Sequence, residues 1–322
     1  MELNIRKYID EEITKEEALE LCQLKGSKLL ELFNVANEVR EKYCGNKIET
    51  CTITNAKSGK CSEDCKFCAQ SEKYNTCIET YPLKDLEVLE NECKEAIAHN
   101  SDRFAIVTSG KGIQKGTKDY ETIKKFAEDM SKENIEICCS IGLLNEDELK
   151  TLKEAGVVRF HSNLQTSIKA YKDIVATTHN VLDRVETIKA AQKVGMKVCC
   201  GGIIGMGETW EDRIDMAFTC KELGVDAIPL NILNPIKGTP HGDREVLSVD
   251  EILKTIAIYR LILKDKNIKV VAGRESILKD FMGSAFLAGA NGLMIGGYLT
   301  IKGRSVEDDF KFIENLKKIW ES

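Results

Sequence analysis

ETCTITNAKSGKCSEDCKFCAQS (residues 49–71) joins a short run of β-branched residues to a loop that gathers Cys61, Cys65 and Cys68 within eight positions and supplies no fourth cysteine. A structural zinc site closes with four ligands and a disulfide consumes cysteines in pairs. Three thiols at this spacing therefore describe an incomplete set. Soft thiolates suit zinc or iron–sulfur clusters, and a zinc loop that borrows a distant fourth ligand is the plainer reading of the same three residues.

Outward from this stretch the chain repeats its first move. Further short β-rich runs follow at RFAIVTS (103–109), IEICCSIG (135–142), VVRFHSNL (157–164), KVCCGGIIG (197–205), AIPLNIL (227–233), IKVVAG (268–273) and GLMIGG (292–297). Amphipathic helical stretches lie between them at 119–134, 145–156, 182–195, 210–224 and 249–267, several ending in the glycine that commonly terminates a helix. Eight strands alternating with helices predict a parallel (β/α)8 TIM-type barrel, although an open doubly wound sheet has the same local alternation. Residues 15–44 read as one helix, so the expected organisation is a helical N-terminal extension over 1–47 and a catalytic barrel over 48–322, closed by a last helix near 306–322. In a parallel barrel the loops after the strands carry function, which puts the cysteine triplet on the functional face.

The bulk properties narrow the class. The chain has 322 residues, a formal net charge of −6 and 13 cysteines. A net negative charge argues against a general nucleic-acid or membrane-surface binder, and no apolar run approaches the roughly 18 residues of a membrane span. The polar, acidic start is unlike a secretory signal, and a cytoplasmic location is expected. Thiols stay reduced there, so the cysteines divide into small core residues and metal ligands.

Cys61, Cys65 and Cys68, with Phe67 before the last of them, resemble the cluster loop of the radical S-adenosylmethionine superfamily. CSEDCKFCAQS, FHSNLQTS, KVCCGGIIGMGET, PLNILNPIKGTP and VAGRE lie in the order and spacing of one of its families, the biotin synthases, over about residues 20–300. The resemblance implies that the triplet holds a 4Fe-4S cluster whose open iron binds S-adenosylmethionine. An electron from that cluster would release a 5′-deoxyadenosyl radical, and two such events would insert sulfur between C6 and C9 of dethiobiotin to form biotin. It also implies a homodimer and a flavodoxin- or ferredoxin-type electron donor. Asn163 and Asn231 match the asparagines that hold the substrate's ureido ring. Gln165 stands at the ribose position, Arg184 at the partner of the methionine carboxylate, and Ile203 where adenine packs. Thr300 falls near the substrate carboxylate. Taken singly these residues have ordinary readings: the asparagines as turn caps, Arg184 as a solvated helix charge, and Gly205 and Gly207 as close-packing positions.

For the sulfur source the family uses an auxiliary 2Fe-2S cluster held by three cysteines and an arginine. Cys138, Cys199 and Arg274 match three of these ligands; Ala105 occupies the fourth position and cannot ligate iron. Cys51 stands where the family has serine, and Ala227 and Gly292 replace small polar residues, which is expected to enlarge the cavity. The expectation is an altered auxiliary iron–sulfur cluster on Cys51, Cys138 and Cys199, of up to four irons with an extra sulfide. Cys139 and Cys200 should face the helices, since successive strand side chains alternate. Cys77 remains a further candidate ligand, and His161 is given no catalytic role. A related radical enzyme of the hydrogenase-maturation or pyrrolysine-pathway type is the alternative.

Overall fold

The computed structural model describes residues 4–299 and 303–321; Thr300 lies outside them. Among the described residues nine strands form a single all-parallel sheet: β1 (Glu49–Lys57), β2 (Arg103–Thr108), β3 (Glu136–Ser140), β4 (Arg159–His161), β5 (Lys197–Cys199), β6 (Gly202–Ile204), β7 (Ala227–Ile232), β8 (Asn267–Val270) and β9 (Gly292–Met294). Their order, β5-β4-β3-β2-β1-β9-β8-β7-β6, is closed by a second pairing of β5 with β7 through Cys199 and Ala227. β5 and β6 share one position of the wall, so the sheet is the eight-stranded barrel expected.

The run at 197–205, read as one strand, is thus divided at Cys200–Gly201. The cause is the approach of β7. The Cys200 amide donates to the Ala227 carbonyl at 2.8 Å, and a Cβ on Gly201 would stand only 2.2 Å from the Pro229 carbonyl oxygen. Only glycine lets the two backbones come this close.

Helices cover the outside: α1 (Lys15–Leu21), α2 (Gly26–Cys44), α3 (Leu86–Ala98), α4 (Lys118–Met130), α5 (Glu146–Glu154), α6 (Tyr171–Ile174), α7 (Val181–Lys193), α8 (Trp210–Glu222), α9 (Val249–Ile262), α10 (Met282–Leu287) and α11 (Val306–Glu321). Reciprocal capping boxes start α1 at Thr14, α5 at Asn145, α7 at Asn180 and α8 at Thr209, and loss of any one such cap costs about 1 kcal/mol. The helix expected over 15–44 is two helices, broken between Leu21 and Gly26. Gly26 has φ of +56°, and the turn lets α1 pack on α8 while α2 packs on α9. α3 is a helix that the sequence reading did not single out.

The main core lies between helices and strands. On α4 the buried residues Tyr120, Ile123, Phe126, Ala127 and Met130 form one face, and Phe126 packs on Phe104 of β2 with ring centroids 5.9 Å apart. Each such side chain contributes about 1.5–3 kcal/mol by burial. Cys51, Ala105 and Cys138 belong to a separate, inner cluster. Cys139 and Cys200 sit in the outer core, on the opposite side of their strands, as the alternation of the pleat requires.

Candidate active site

The loop after β1 is folded back on itself before it reaches the barrel mouth. The Cys61 amide donates to the Gln70 carbonyl, the Glu72 amide donates to the Cys61 carbonyl, and the Cys68 amide closes a turn onto Cys65, at 3.0, 2.8 and 2.9 Å. Burial pushes the Cys65 thiol up to about 12, with the neighbouring Cys68 adding to it, and the Cys68 thiol up to about 11. Cys65 and Cys68, crowded beside Cys61 in a poorly solvated pocket, resist ionisation unless a cation enters among them. That donor set suits an iron–sulfur cluster, because metal binding supplies the charge that turns the group into thiolates. Among the described residues no three metal-ligating side chains converge on a single ion. A cluster makes a different demand, since each thiolate attaches to its own iron.

Cys61, Cys65, Phe67 and Cys68 line an upper cavity together with Asn163, Gln165 and Arg184. Gln165 follows β4 and has φ of +73°. Its backbone is held in that strained region by hydrogen bonds to Gly201 and Ile203, and its Oε1 is buried without a partner. An orphaned acceptor in this cavity suits a ligand hydroxyl. Asn163 Oδ1 accepts the Gly201 amide at 3.1 Å. Asn231 donates to the Gly202 carbonyl and accepts from the Ala272 amide. Both asparagines are therefore backbone-anchored at strand ends, and the rest of each amide's hydrogen-bonding capacity remains for the cavity. Ile203 and Asn231 line an adjoining cavity with Phe67 and Cys68.

Below these, Cys51, Cys199, His161, Asn163, Asn231 and Lys269 line a third cavity inside the barrel, and Cys138 packs beside Cys51 through Ala105. Tyr298 and Leu299 border all three cavities, so they form one connected interior. Burial raises the Cys51 and Cys138 thiols and takes Cys199 to about 11. Burial also pushes the His161 imidazole down to about 3, with Lys269, Arg159 and Arg103 adding to the effect. The ring is therefore neutral, and its Nε2 has no partner.

The floor is cationic. Glu49, 13% exposed, meets Arg103 Nη1 at 2.5 Å, Lys269 Nζ at 3.2 Å and Arg159 Nη1 at 3.5 Å. Glu136, partly exposed, is a second partner for Arg103. Arg103 Nη1 and Lys269 Nζ approach Glu49 without making aligned hydrogen bonds, and Arg159 Nε has none. Three buried cations share one buried carboxylate, so the field under the three thiols is positive. This suits an anionic group bound among Cys51, Cys138 and Cys199.

Arg274 is not part of this set. Gly273, at φ +78°, turns the chain after β8, and the Arg274 guanidinium pairs with Asp309 of α11 at 2.7 and 3.0 Å. The strand residue that does reach the thiols is Lys269. The enlargement expected from Gly292 also takes another form: a Cβ there would lie 2.4 Å from Asn267 Oδ1 and 2.6 Å from Lys269 Cγ, so the vacated space is filled by these two side chains. Cys77 is exposed and lines none of the three cavities. Lys269, Arg103, Arg159 and Glu49 were missed in the sequence. Their signal was charge inside short, otherwise apolar strands.

An eight-stranded parallel barrel with three cysteines on the loop after its first strand defines the class. The radical SAM superfamily model matches residues 56–220, and the Biotin and Thiamin Synthesis associated domain matches residues 229–318. Among solved structures, methylornithine synthase superposes with a TM-score of 0.84 at 18% identity, covering 99% of both chains. The FeFe-hydrogenase maturase HydG from Carboxydothermus hydrogenoformans gives 0.81 at 16%, covering 97% of this chain and 76% of its own. These two share the fold. Curated relatives are far nearer in sequence. The biotin synthase of Carboxydothermus hydrogenoformans is 46% identical over 95% of this chain and 94% of its own, and that of Clostridium tetani is 44% identical over 98% and 97%. The chain belongs to the biotin synthase family.

Proposed function

We infer that this chain is a radical S-adenosylmethionine enzyme that inserts sulfur between C6 and C9 of dethiobiotin to form biotin. The observation that carries the reading is a family member's barrel in which two separate sets of cysteines open on one connected interior. Cys61, Cys65 and Cys68 would hold the 4Fe-4S cluster, and Cys51, Cys138 and Cys199 an auxiliary iron–sulfur cluster in the positive field of Lys269, Arg103 and Arg159. Bound there, these clusters supply, with S-adenosylmethionine, the hydrogen-abstracting radical and the sulfur atom.

The protein's own part is binding, orientation and exclusion of water. Arg184 takes the cofactor carboxylate through a charge-assisted contact, Gln165 Oε1 accepts from the ribose, and Ile203 and Phe67 offer apolar surface to the adenine. Asn163 and Asn231, fixed by their backbone contacts, present amide groups to the ureido ring, which both donates and accepts as they do. Cys51, Cys138 and Cys199 would hold the auxiliary cluster as thiolates, and that cluster would supply the sulfur. A flavodoxin or ferredoxin would deliver electrons to a homodimeric, cytoplasmic enzyme.

The test is anaerobic reconstitution followed by incubation with dethiobiotin, reductant and S-adenosylmethionine, with iron and sulfide counted before and after. Biotin should form with loss of auxiliary sulfide. Formation of 5′-deoxyadenosine without biotin, from protein carrying both clusters, would overturn the assignment.

A further inference from the structure

Glu63, Asp64 and Lys66, between the three clustered cysteines, have no part in the site described above, yet they tie the loop to the segment before α7. Asp64 accepts from the amides of Thr177 and Thr178 at 2.8 and 3.1 Å and from both their hydroxyls. The Lys66 amide donates to the Val175 carbonyl. Glu63 Oε2, on a side chain only 9% exposed, lies 2.8 Å from Nδ1 of His179, which is itself buried.

His179 continues the chain. Its Nε2 is 3.0 Å from Arg184 Nη2 and 2.7 Å from the Tyr171 hydroxyl, and Arg184 Nε donates to that hydroxyl at 3.0 Å. A guanidinium can only donate. Nε2 must therefore be the accepting nitrogen, Nδ1 carries the proton, and that proton points at Glu63. The Tyr171 hydroxyl accepts from Arg184 Nε and donates to Nε2. The tautomer is fixed by a residue that can only donate, and Nε2 is an acceptor shared between the Arg184 guanidinium and the Tyr171 hydroxyl. The start of the chain lies midway between Cys61 and Cys65, and its end is the arginine that faces the cofactor cavity.

We propose that Glu63, His179 and Tyr171 are positioning residues that fix the Arg184 guanidinium with respect to the metal-binding loop, so that the two ends of the cofactor's amino-acid group are held in one rigid frame. A cluster held by the loop would take the amino end of that group and share its carboxylate. The other end meets Arg184 on α7, on the far side of three intervening strands in the sequence. Without the relay, Arg184 would be a flexible side chain on α7, ordered only as the ligand arrives, and that ordering opposes binding. With it, the guanidinium is set before binding. The proposal rests on the reading of Arg184 as the partner of the cofactor carboxylate.

The test is anaerobic equilibrium binding to protein carrying its Cys61–Cys65–Cys68 cluster, with iron counted in each sample. The ligands are S-adenosylmethionine and its decarboxylated analogue, and the readout is the ratio of their affinities. Arg184→Met should lose most of the part of the carboxylate preference that does not come from iron. His179→Leu should reduce it by about tenfold, as loss of a residue that orients a ligand does, and Tyr171→Phe by about threefold, the weight of one hydrogen bond. His179→Gln, whose amide can donate to Glu63 and accept from Arg184, should restore most of it. If Arg184→Met keeps the wild-type ratio, the reading of Arg184 fails and the relay with it. If Arg184→Met loses the preference while His179→Leu and Tyr171→Phe keep it, the relay is overturned and Arg184 stands. Should His179→Leu lose iron, Tyr171→Phe decides, because it removes one buried oxygen and no packing surface.

Discussion

Lys269 Nζ lies 3.2 Å from Glu49 Oε1 at the base of the barrel, on a side chain whose Cγ passes 2.6 Å from where a Cβ on Gly292 would stand. Burial alone would lower the lysine's affinity for its proton, but Cys51, Cys199 and Glu49 outweigh it and hold the ammonium charged. With Arg103 and Arg159 on the same carboxylate, this is a site with more cation than its own acid balances.

Lys269→Met should therefore act in opposite directions on empty and loaded protein. Without metal it removes like-charge repulsion and should leave thermal stability unchanged or slightly raised, since replacing a buried charge by an apolar chain is often neutral or better. In protein loaded with iron and sulfide it should lower stability and cut the auxiliary iron content, with the Cys61–Cys65–Cys68 cluster retained. Calorimetry on both forms, with iron counts, reads the difference. A large loss of stability in the metal-free form would refute the charge argument.

Cys51→Ala should remove the auxiliary iron and sulfide and spare the upper cluster. The substitution leaves a small apolar side chain beside Ala105 and Cys138, so folding should survive. Absorption and Mössbauer spectra of the reconstituted variant would be compared with the parent. Full retention of auxiliary iron would remove Cys51 from the ligand set.

The buried thiols set a pH dependence. Cys68 and Cys199 titrate near 11 and Cys65 near 12 in the folded chain, against 9.0 as ordinary thiols. Above about pH 9 the unfolded chain releases these protons first, so it binds fewer than the native state and stability falls as pH rises. The metal-free protein should lose stability between about pH 9 and 12, the window of those values. Metal loading reverses the sign, because ligation requires thiolate. Reconstitution at pH 8 should release about one proton per ligating cysteine, measurable with a weakly buffered indicator.

Gly201→Ala should destabilise the fold by about 2–4 kcal/mol, in the range for a substitution that forces backbone apart in a core. The added Cβ meets the Pro229 carbonyl at 2.2 Å and pushes β5 from β7, where the barrel closes. A denaturant midpoint within error of the parent would show that the seam yields more easily than the geometry implies.

The barrel and the cysteine triplet were legible because their signals are local: alternating apolar runs, helix-ending glycines, and three thiols on one loop. The break between α1 and α2 was not, since leucines keep a helical period across Gly26 and only packing against α8 and α9 divides them. Arg274 was misplaced for a related reason. Sequence places it beside the end of β8, but the left-handed Gly273 turns the chain so that its side chain meets Asp309 on the last helix. Lys269 was passed over because a lysine in a short strand reads the same whether it faces solvent or the interior. The relay from Glu63 to Arg184 spans 121 residues and no spacing in the chain announces it.

The ion-paired floor also makes the barrel a blind shaft. With Glu49, Arg103, Arg159 and Lys269 packed at its base, whatever replenishes the deep thiols would descend from the mouth, past the residues proposed to seat cofactor and substrate. Repair and turnover would then compete for that entrance. Protein given saturating S-adenosylmethionine and dethiobiotin beforehand should refill its lower iron more slowly than protein left empty.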